Sequence, residues 1–301
     1  MSDPRYGAIE AGGTKFVCLI GRGPDDIAAS ATFPTTDPTT TLAAAVAFFR
    51  DQARLLAALP AAVGIASFGP VELRRNHPEY GHITRTPKPG WSGTDIAGYV
   101  GTELGIPVGF DTDVNGAALA EGRWGAAHNA DSYAYMTIGT GVGVGIVVSG
   151  RVVHGLVHPE AGHVAVGRVP DDSFSGSCPY HGDCLEGMAA GSALAARFGK
   201  PATELNELER AQAAELVAAY VADGLRSLIY TVAPDRIIIG GGVSELPGLM
   251  PRLRASLLQS LGGYPDLPEH RAADFVVRPR LGTRSGALGG LVLAERAADD
   301  R

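Results

Sequence analysis

Two histidines and two cysteines lie close together near the middle of this chain. They stand in Glu160-Ala-Gly-His163 and, after fourteen intervening residues, in Cys178-Pro-Tyr-His181-Gly-Asp-Cys184-Leu-Glu186. Two thiolates and two imidazoles at such spacing suit a tetrahedral Zn²⁺ and leave no open position for water. A closed site of this kind does no chemistry itself. It can hold neighbouring carboxylates and ring nitrogens rigidly, and Glu160 and Glu186 flank the set on both sides. The cluster therefore predicts a clamp beside a pocket for a small polar molecule. His154 and His158 lie near it but fall outside the spacing and are expected to be loop histidines.

Three glycine-rich loops offer a second chemistry. Glu10-Ala-Gly12-Gly13-Thr14-Lys15 puts two glycines, a hydroxyl and an amine in one turn. Ile138-Gly139-Thr140-Gly141 repeats the pattern, and Gly240-Gly241-Gly242-Val243-Ser244 follows an apolar run and precedes a helix. Glycine lets backbone N–H groups approach an anion with no Cβ in the way, and a loop that opens a helix adds the helix dipole. One such loop is explained by a hairpin turn. Three, each following a β-like run, point to phosphate binding, and a side chain at position 241 is expected to obstruct it. No G-x-G-x-x-G opens a helix and no G-x-x-x-x-G-K-[ST] occurs, so a nucleotide would be held in another way. Asp111-Thr-Asp113-Val-Asn115 supplies carboxylates at the head of a small-residue helix. There Asp113 can serve as an N-cap, as an acid–base group, or as both.

The elements that must position these groups follow from periodicity. Tyr6 to Glu10 and Lys15 to Gly21 read as a hairpin, and the residues from 39 to 59 as a helix with Leu42, Val46, Phe49 and Leu56 on one face. Apolar runs at 62–68 and 106–110 read as strands. A Pro- and Gly-rich loop at 84–93 precedes a helix that ends near Leu104. Trp91 and Trp124 are expected in the core. The pattern then restarts. Ser132 to Ile138 and Val142 to Ser149 form a second glycine-turned hairpin, followed by helices at 186–198 and 204–232, a strand at 236–239, a helix after Pro247, a strand at 274–277 and a last helix from about 285 to 298. Two related α/β lobes are predicted. The first comprises residues 1–111 joined by the C-terminal helix 285–301, and the second residues 112–284 with a zinc-binding segment at 154–186.

Composition narrows the class. The chain has 301 residues, long enough for two lobes, and 45% hydrophobic with 19% charged residues is globular. A formal charge of −7 is the wrong sign for a nucleic-acid partner. No apolar run reaches membrane-spanning length, and the first residues lack the apolar core of a signal peptide. Three cysteines, two of them in the cluster and Cys18 in an apolar run, argue against a disulfide framework and for a cytoplasmic protein.

Taken together the motifs resemble those of the ROK family of sugar kinases, and within it the fructokinase branch. They are EAGGTK at 10–15, PKPGW at 87–91, DTDVNGAA at 111–118, TIGTGVG at 137–143, EAGH at 160–163, CPYHGDCLEG at 178–187 and GGG at 240–242. The family's first motif usually begins with Asp where this chain has Glu10. The cysteine segment also departs from the commoner C-x-C-G-x-x-G-C. Both departures resemble fructokinases rather than bacterial glucokinases.

The resemblance implies the two-lobed actin- and hexokinase-like (ribonuclease H-like) ATPase fold, with the zinc segment inserted. It implies ATP-dependent phosphorylation of a hexose, D-fructose above glucose or mannose, with Asp113 as general base. Glu160, His163 and Glu186 would contact sugar hydroxyls, with His163, Cys178, His181 and Cys184 on structural Zn²⁺. Gly12, Gly13, Thr14 and Lys15 would face the phosphates of ATP, with Mg²⁺ nearby and Glu10 acting on it through water. Thr140, Gly240, Gly241, Gly242, Val243 and Ser244 would hold the nucleotide. A homodimer is implied as well. Part of the family regulates transcription, which needs an N-terminal helix-turn-helix, and here only a few residues precede the first strand. A non-catalytic sugar-binding protein or an actin-like assembly protein is the remaining alternative, and an assembly protein would need neither EAGH nor the clamp.

Overall fold

A computed structural model describes residues 4–300. The chain opens with β1 (Tyr6–Ala11), β2 (Lys15–Gly23) and β3 (Asp26–Pro34), an antiparallel meander. Helix α1 (Pro38–Leu56) follows, then β4 (Val63–Ser67), α2 (Ile96–Leu104), β5 (Val108–Thr112) and α3 (Asp113–Trp124). β4 lies parallel to β1 and β5 parallel to β4, so the sheet order is β3-β2-β1-β4-β5. A second run gives β6 (Tyr133–Ile138), β7 (Val142–Val148) and β8 (Arg151–Val152). It continues through α4 (Leu185–Ala189), α5 (Gly191–Phe198), α6 (Glu207–Val232), β9 (Arg236–Gly240), α7 (Leu249–Leu261) and β10 (Val276–Val277), and α8 (Ser285–Asp299) ends the chain. The second sheet is ordered β10-β9-β6-β7-β8. Its first strand is again flanked by its own hairpin partner and by the parallel fourth strand. The restart in the sequence is thus a repeat of one sheet topology.

The chain forms two compact units. The first runs through His128 and takes in Val152–His158 and everything from Arg280 onward. One face of its sheet buries Phe16, Phe49, Ile65, Trp91 and Ile96 beneath α1 and α2. Fully burying an aromatic or branched side chain contributes on the order of 2 kcal/mol, so this face is the unit's main source of stability. α1 forms where the sequence suggests: Asp37 accepts the Thr40 N–H as N-cap, Pro38 starts the first turn, and Ala57 closes the helix in the left-handed region. The other face receives α8 and α3 through small residues. A Cβ on Gly64 or Gly109 would run into the α8 backbone, and one on Gly289 into the backbone of Gly116.

That packing moves the expected boundary. The first unit does not end at Asp111 but carries α3 and continues to His128, because α3 packs Gly116 closely against Gly286 and Gly289 of α8. The expected zinc segment at 154–186 is also cut shorter. Val152–His158 belongs to the first unit, held by His154 on Asp111 (3.0 Å) and by His158, whose Nε2 accepts the Val71 N–H (3.3 Å).

The second unit spans Asn129–Arg151 and Pro159–Pro279. The single helix expected at 186–198 is two, α4 and α5, broken at an extended Ala190. The break lets the Gly191 N–H donate to the Gly139 carbonyl (2.7 Å), which fixes the glycine loop after β6. α6 begins with a full capping box between Asn206 and Glu209. The sequence reading passed over β3, an edge strand of alternating half-buried and exposed residues whose sequence is rich in alanine. Among the described residues no helix is long and apolar enough to cross a membrane.

Candidate functional site

In the first unit the chemistry gathers where β1 and β5 end. Parallel pairing sets Glu10, Ala66 and Asp111 side by side across the sheet. The next residue after Thr112 starts α3, so Asp113 stands at the helix N-terminus, half-exposed, where the dipole favours an anion. The N-cap itself is Thr112, whose hydroxyl accepts the Asn115 N–H (3.1 Å). Asp113 is therefore the first helical residue rather than the cap, and its Oδ1 accepts the adjacent Val114 N–H (2.9 Å). Asp111 is buried and held by the Asn115 amide (2.6 Å), its neighbour's N–H (2.8 Å) and His154. Hydrogen bonding to Asp111 in turn pushes the His154 imidazole up from its ordinary value.

Glu10 is a strongly perturbed acid. Burial first, and the negative charge of Asp113 second, raise it to about 7, against the opposing pull of Lys15 and of the Ala287 N–H. Two carboxylates whose environments disfavour joint ionisation suit a site that will receive a cation. The glycine turn beside them is compact. Gly12 donates to the Lys15 carbonyl (3.0 Å), and the Thr35 hydroxyl donates to the Gly12 carbonyl (2.7 Å). A Cβ on Gly13 would meet nothing, so this position borders open space, and Thr14 and Lys15 are exposed.

In the second unit His163, Cys178, His181 and Cys184 converge, with their ligand atoms all within 4.8 Å of one another. The two sulfurs lie 3.6 Å (Cys178) and 3.5 Å (Cys184) from His163 Nδ1, and Cys178 Sγ lies 3.7 Å from His181 Nδ1. A zinc–sulfur bond of about 2.3 Å and a zinc–nitrogen bond of about 2.0 Å at the tetrahedral angle span about 3.5 Å, so the four residues fit this ion. His154 and His158 are not in the set. His163 turns its other nitrogen towards Glu186, with Nε2 and Oε1 3.9 Å apart. Glu186 Oε2 accepts the Val142 N–H (3.0 Å), and a Cβ on Gly141 would crowd it. The clamp is thereby joined to the Gly139–Gly141 turn, on which Thr140 is exposed. Glu160 is exposed and leads into the short 3-10 turn that carries His163.

The third glycine loop works differently from its expectation. Gly241 has φ +86, and a Cβ there would run into the Ile138 backbone rather than into a ligand's approach. Position 242 is the open one, with nothing near its Cβ position. Val243 and Ser244 are buried, and the Ser244 hydroxyl donates to the Gly241 carbonyl (2.7 Å). These two side chains shape the loop, and its accessible surface is the main chain at 241 and 242.

Sequence reasoning missed two buried groups. Asp172 receives a bidentate Arg197 (2.6 and 2.9 Å) and the Tyr220 hydroxyl (2.5 Å), which hold its carboxyl far below the usual range. This network ties the stretch before Cys178 to α5 and α6. The other is Glu121, on α3. Both depend on contacts far apart in sequence, and no local pattern marks them.

A family model described as ROK family matches residues 6–297. The chain is 42% identical over 293 residues to the fructokinase of Zymomonas mobilis subsp. mobilis, covering 96% of this chain and 96% of that one. It is 40% identical over 292 residues to the fructokinase of Pediococcus pentosaceus, covering 97% and 98%. Among solved structures, the ROK hexokinase from Thermus thermophilus superposes with a TM-score of 0.81 at 28% identity, covering 99% of this chain and all 100% of that one.

Proposed function

The chain belongs to the ROK family, and on that premise we propose that it is an ATP-dependent fructokinase that converts D-fructose to fructose 6-phosphate. The observation that carries this reading is identity of 40% and more with fructokinases over essentially the whole chain. In the reaction the sugar hydroxyl oxygen bonds to the γ-phosphorus as the bond from that phosphorus to the bridging oxygen breaks, and ADP leaves with the electron pair. Asp113 takes the hydroxyl proton. Its place at a helix N-terminus, where the dipole favours an anion, suits this role, which positioned carboxylates fill in phosphoryl transfer.

Glu160, Glu186 and the Nε2 side of His163 are assigned to sugar hydroxyls. Between His163 Nε2 and Glu186 Oε1, 3.9 Å apart, a hydroxyl could donate to one and accept from the other. Zn²⁺ on His163 Nδ1, Cys178, His181 and Cys184 is structural in this reading, since a closed donor set offers no position for chemistry. The amides of Gly12 to Lys15 face the phosphates, and Thr140 with the main chain of 240–244 holds the nucleoside. Glu10 would hold Mg²⁺ through water, and the ion would neutralise charge developing on the phosphoryl oxygens. We place the protein in the cytoplasm as a homodimer, in keeping with the resemblance.

A coupled assay of ADP release with MgATP and fructose, mannose or glucose tests the reading. Fructose should give the highest kcat/KM. Absence of hexose-dependent ADP release would contradict kinase activity, and a higher kcat/KM on glucose would move the chain to the glucokinase alternative.

A further inference from the structure

We infer that Glu121 is a positioning residue: by gripping the chain that leads into α8, it fixes Asp113, on the helix they share, against Glu10. Glu121 stands eight residues after Asp113 towards the other end of α3 and is fully buried. Its Oε2 accepts the Ala126 N–H (2.7 Å) and the Arg280 N–H (3.1 Å). Its Oε1 accepts the Leu281 N–H (3.0 Å) and the Ser285 hydroxyl (2.7 Å). Four donors on one carboxylate, three of them main-chain, make a socket built around an anion, and hydrogen bonds to a charged group are the strong ones. Gly125 leaves the room for it, because a Cβ there would run into the carboxylate.

The need for such a grip comes from the close crossing of α3 and α8: Leu119, Ala120 and Trp124 cluster with apolar side chains of α8, but at the crossing itself backbone meets backbone. Gly289 meets the Gly116 backbone directly, and Gly116 in turn approaches Ala66. Helices normally set their register by fitting side-chain ridges into grooves, and glycine against glycine offers almost none. A polar clamp at one end adds to the register that the few flanking side chains give. The segment it grips, Arg280–Ser285, leads straight into the first turn of α8. There the Ala287 N–H donates to the Glu10 carboxylate, and Gly286 leaves space for its Oε1. Eight helical residues span about 12 Å, so a tilt of about 5° at the Glu121 end moves the base by about 1 Å. Misplacement of that size can cost about 10²-fold in rate.

The inference rests on Asp113 being the base, as proposed above, and the test separates the two. Full-length Glu121→Gln and Ser285→Ala are assayed with fructose and MgATP, and amide hydrogen exchange is followed at Ala287, Val114 and Asn115 without substrates. Gln keeps the shape but presents an NH₂ to donors, so kcat should fall about 10- to 100-fold with both KM values held within about threefold. Exchange at the three amides should quicken, and Ser285→Ala should show both effects in weaker form. Variants that lose only melting temperature, with wild-type kcat and exchange, would make Glu121 a plain stabiliser and overturn the inference. If Glu121→Gln does not fold, Ser285→Ala decides, because it removes one donor of the four and leaves the charge in place. If the wild type phosphorylates no hexose, the functional reading falls, and unchanged exchange at these amides would still overturn the positioning role on its own.

Discussion

Asp113 and Glu10 show how far residue types alone carry an argument. The sequence offers Asp113 as a cap, a base or both, and nothing local decides between them. The structure assigns the cap to Thr112 and places Asp113 at the first position of the helix. Glu10 becomes notable only through its surroundings, since desolvation is not visible in a string of residues. Its carboxyl, ordinarily at 4.5, sits at about 7 in the folded chain, so between those values the folded state binds more protons than the unfolded one. Stability of the ligand-free protein should therefore fall as pH rises through that interval. Glu10→Gln removes the titrating group, and its melting temperature should decline less steeply than that of the wild type between about pH 5 and 7. Parallel melting curves for the two proteins would show that Glu10 titrates normally.

At the scale of elements, the hairpins and the convergence of the two His and two Cys were readable because each is encoded locally. Glycine turns, caps and four ligands within a short stretch need no knowledge of the rest of the chain. The break at Ala190 and the buried Asp172 were not readable, because they answer to partners elsewhere: the Gly139 loop in one case, Arg197 and Tyr220 in the other. With zinc on the cluster as proposed, its loop would have two supports, the metal and this ion pair, and they should separate experimentally. Elemental analysis should give one zinc per chain for the wild type and none for Cys178→Ser or Cys184→Ser, and calorimetry should show fructose binding sharply weakened in these variants with ATP binding largely kept. Wild-type protein stripped of zinc that still works at full rate would refute the clamp's role. Asp172→Ala strands Arg197 in a setting where both side chains are about nine-tenths buried (6% and 11% exposed). Breaking one partner of such a pair costs about 3–5 kcal/mol, which denaturant unfolding would register, while zinc content should stay at one per chain.

Across the whole molecule, the sequence shows its duplication more clearly than its division. Two glycine-turned hairpins, each followed by helices and further strands, announced two sheets of one topology, and the structure contains them. Where one unit stops is a different kind of fact. It depends on which surface α3 covers, and small residues that fit against α8 carry no hydrophobic periodicity to announce it. The account as a whole, a fructokinase whose base stands at the head of α3, is exposed most directly by one substitution. Asp113→Asn keeps the size and helix start but cannot take a proton at neutral pH. With fructose and MgATP its kcat should fall by about 10² to 10⁴-fold, with the fold and ATP affinity intact. Turnover near the wild-type level in a correctly folded Asp113→Asn protein would contradict the account at its centre.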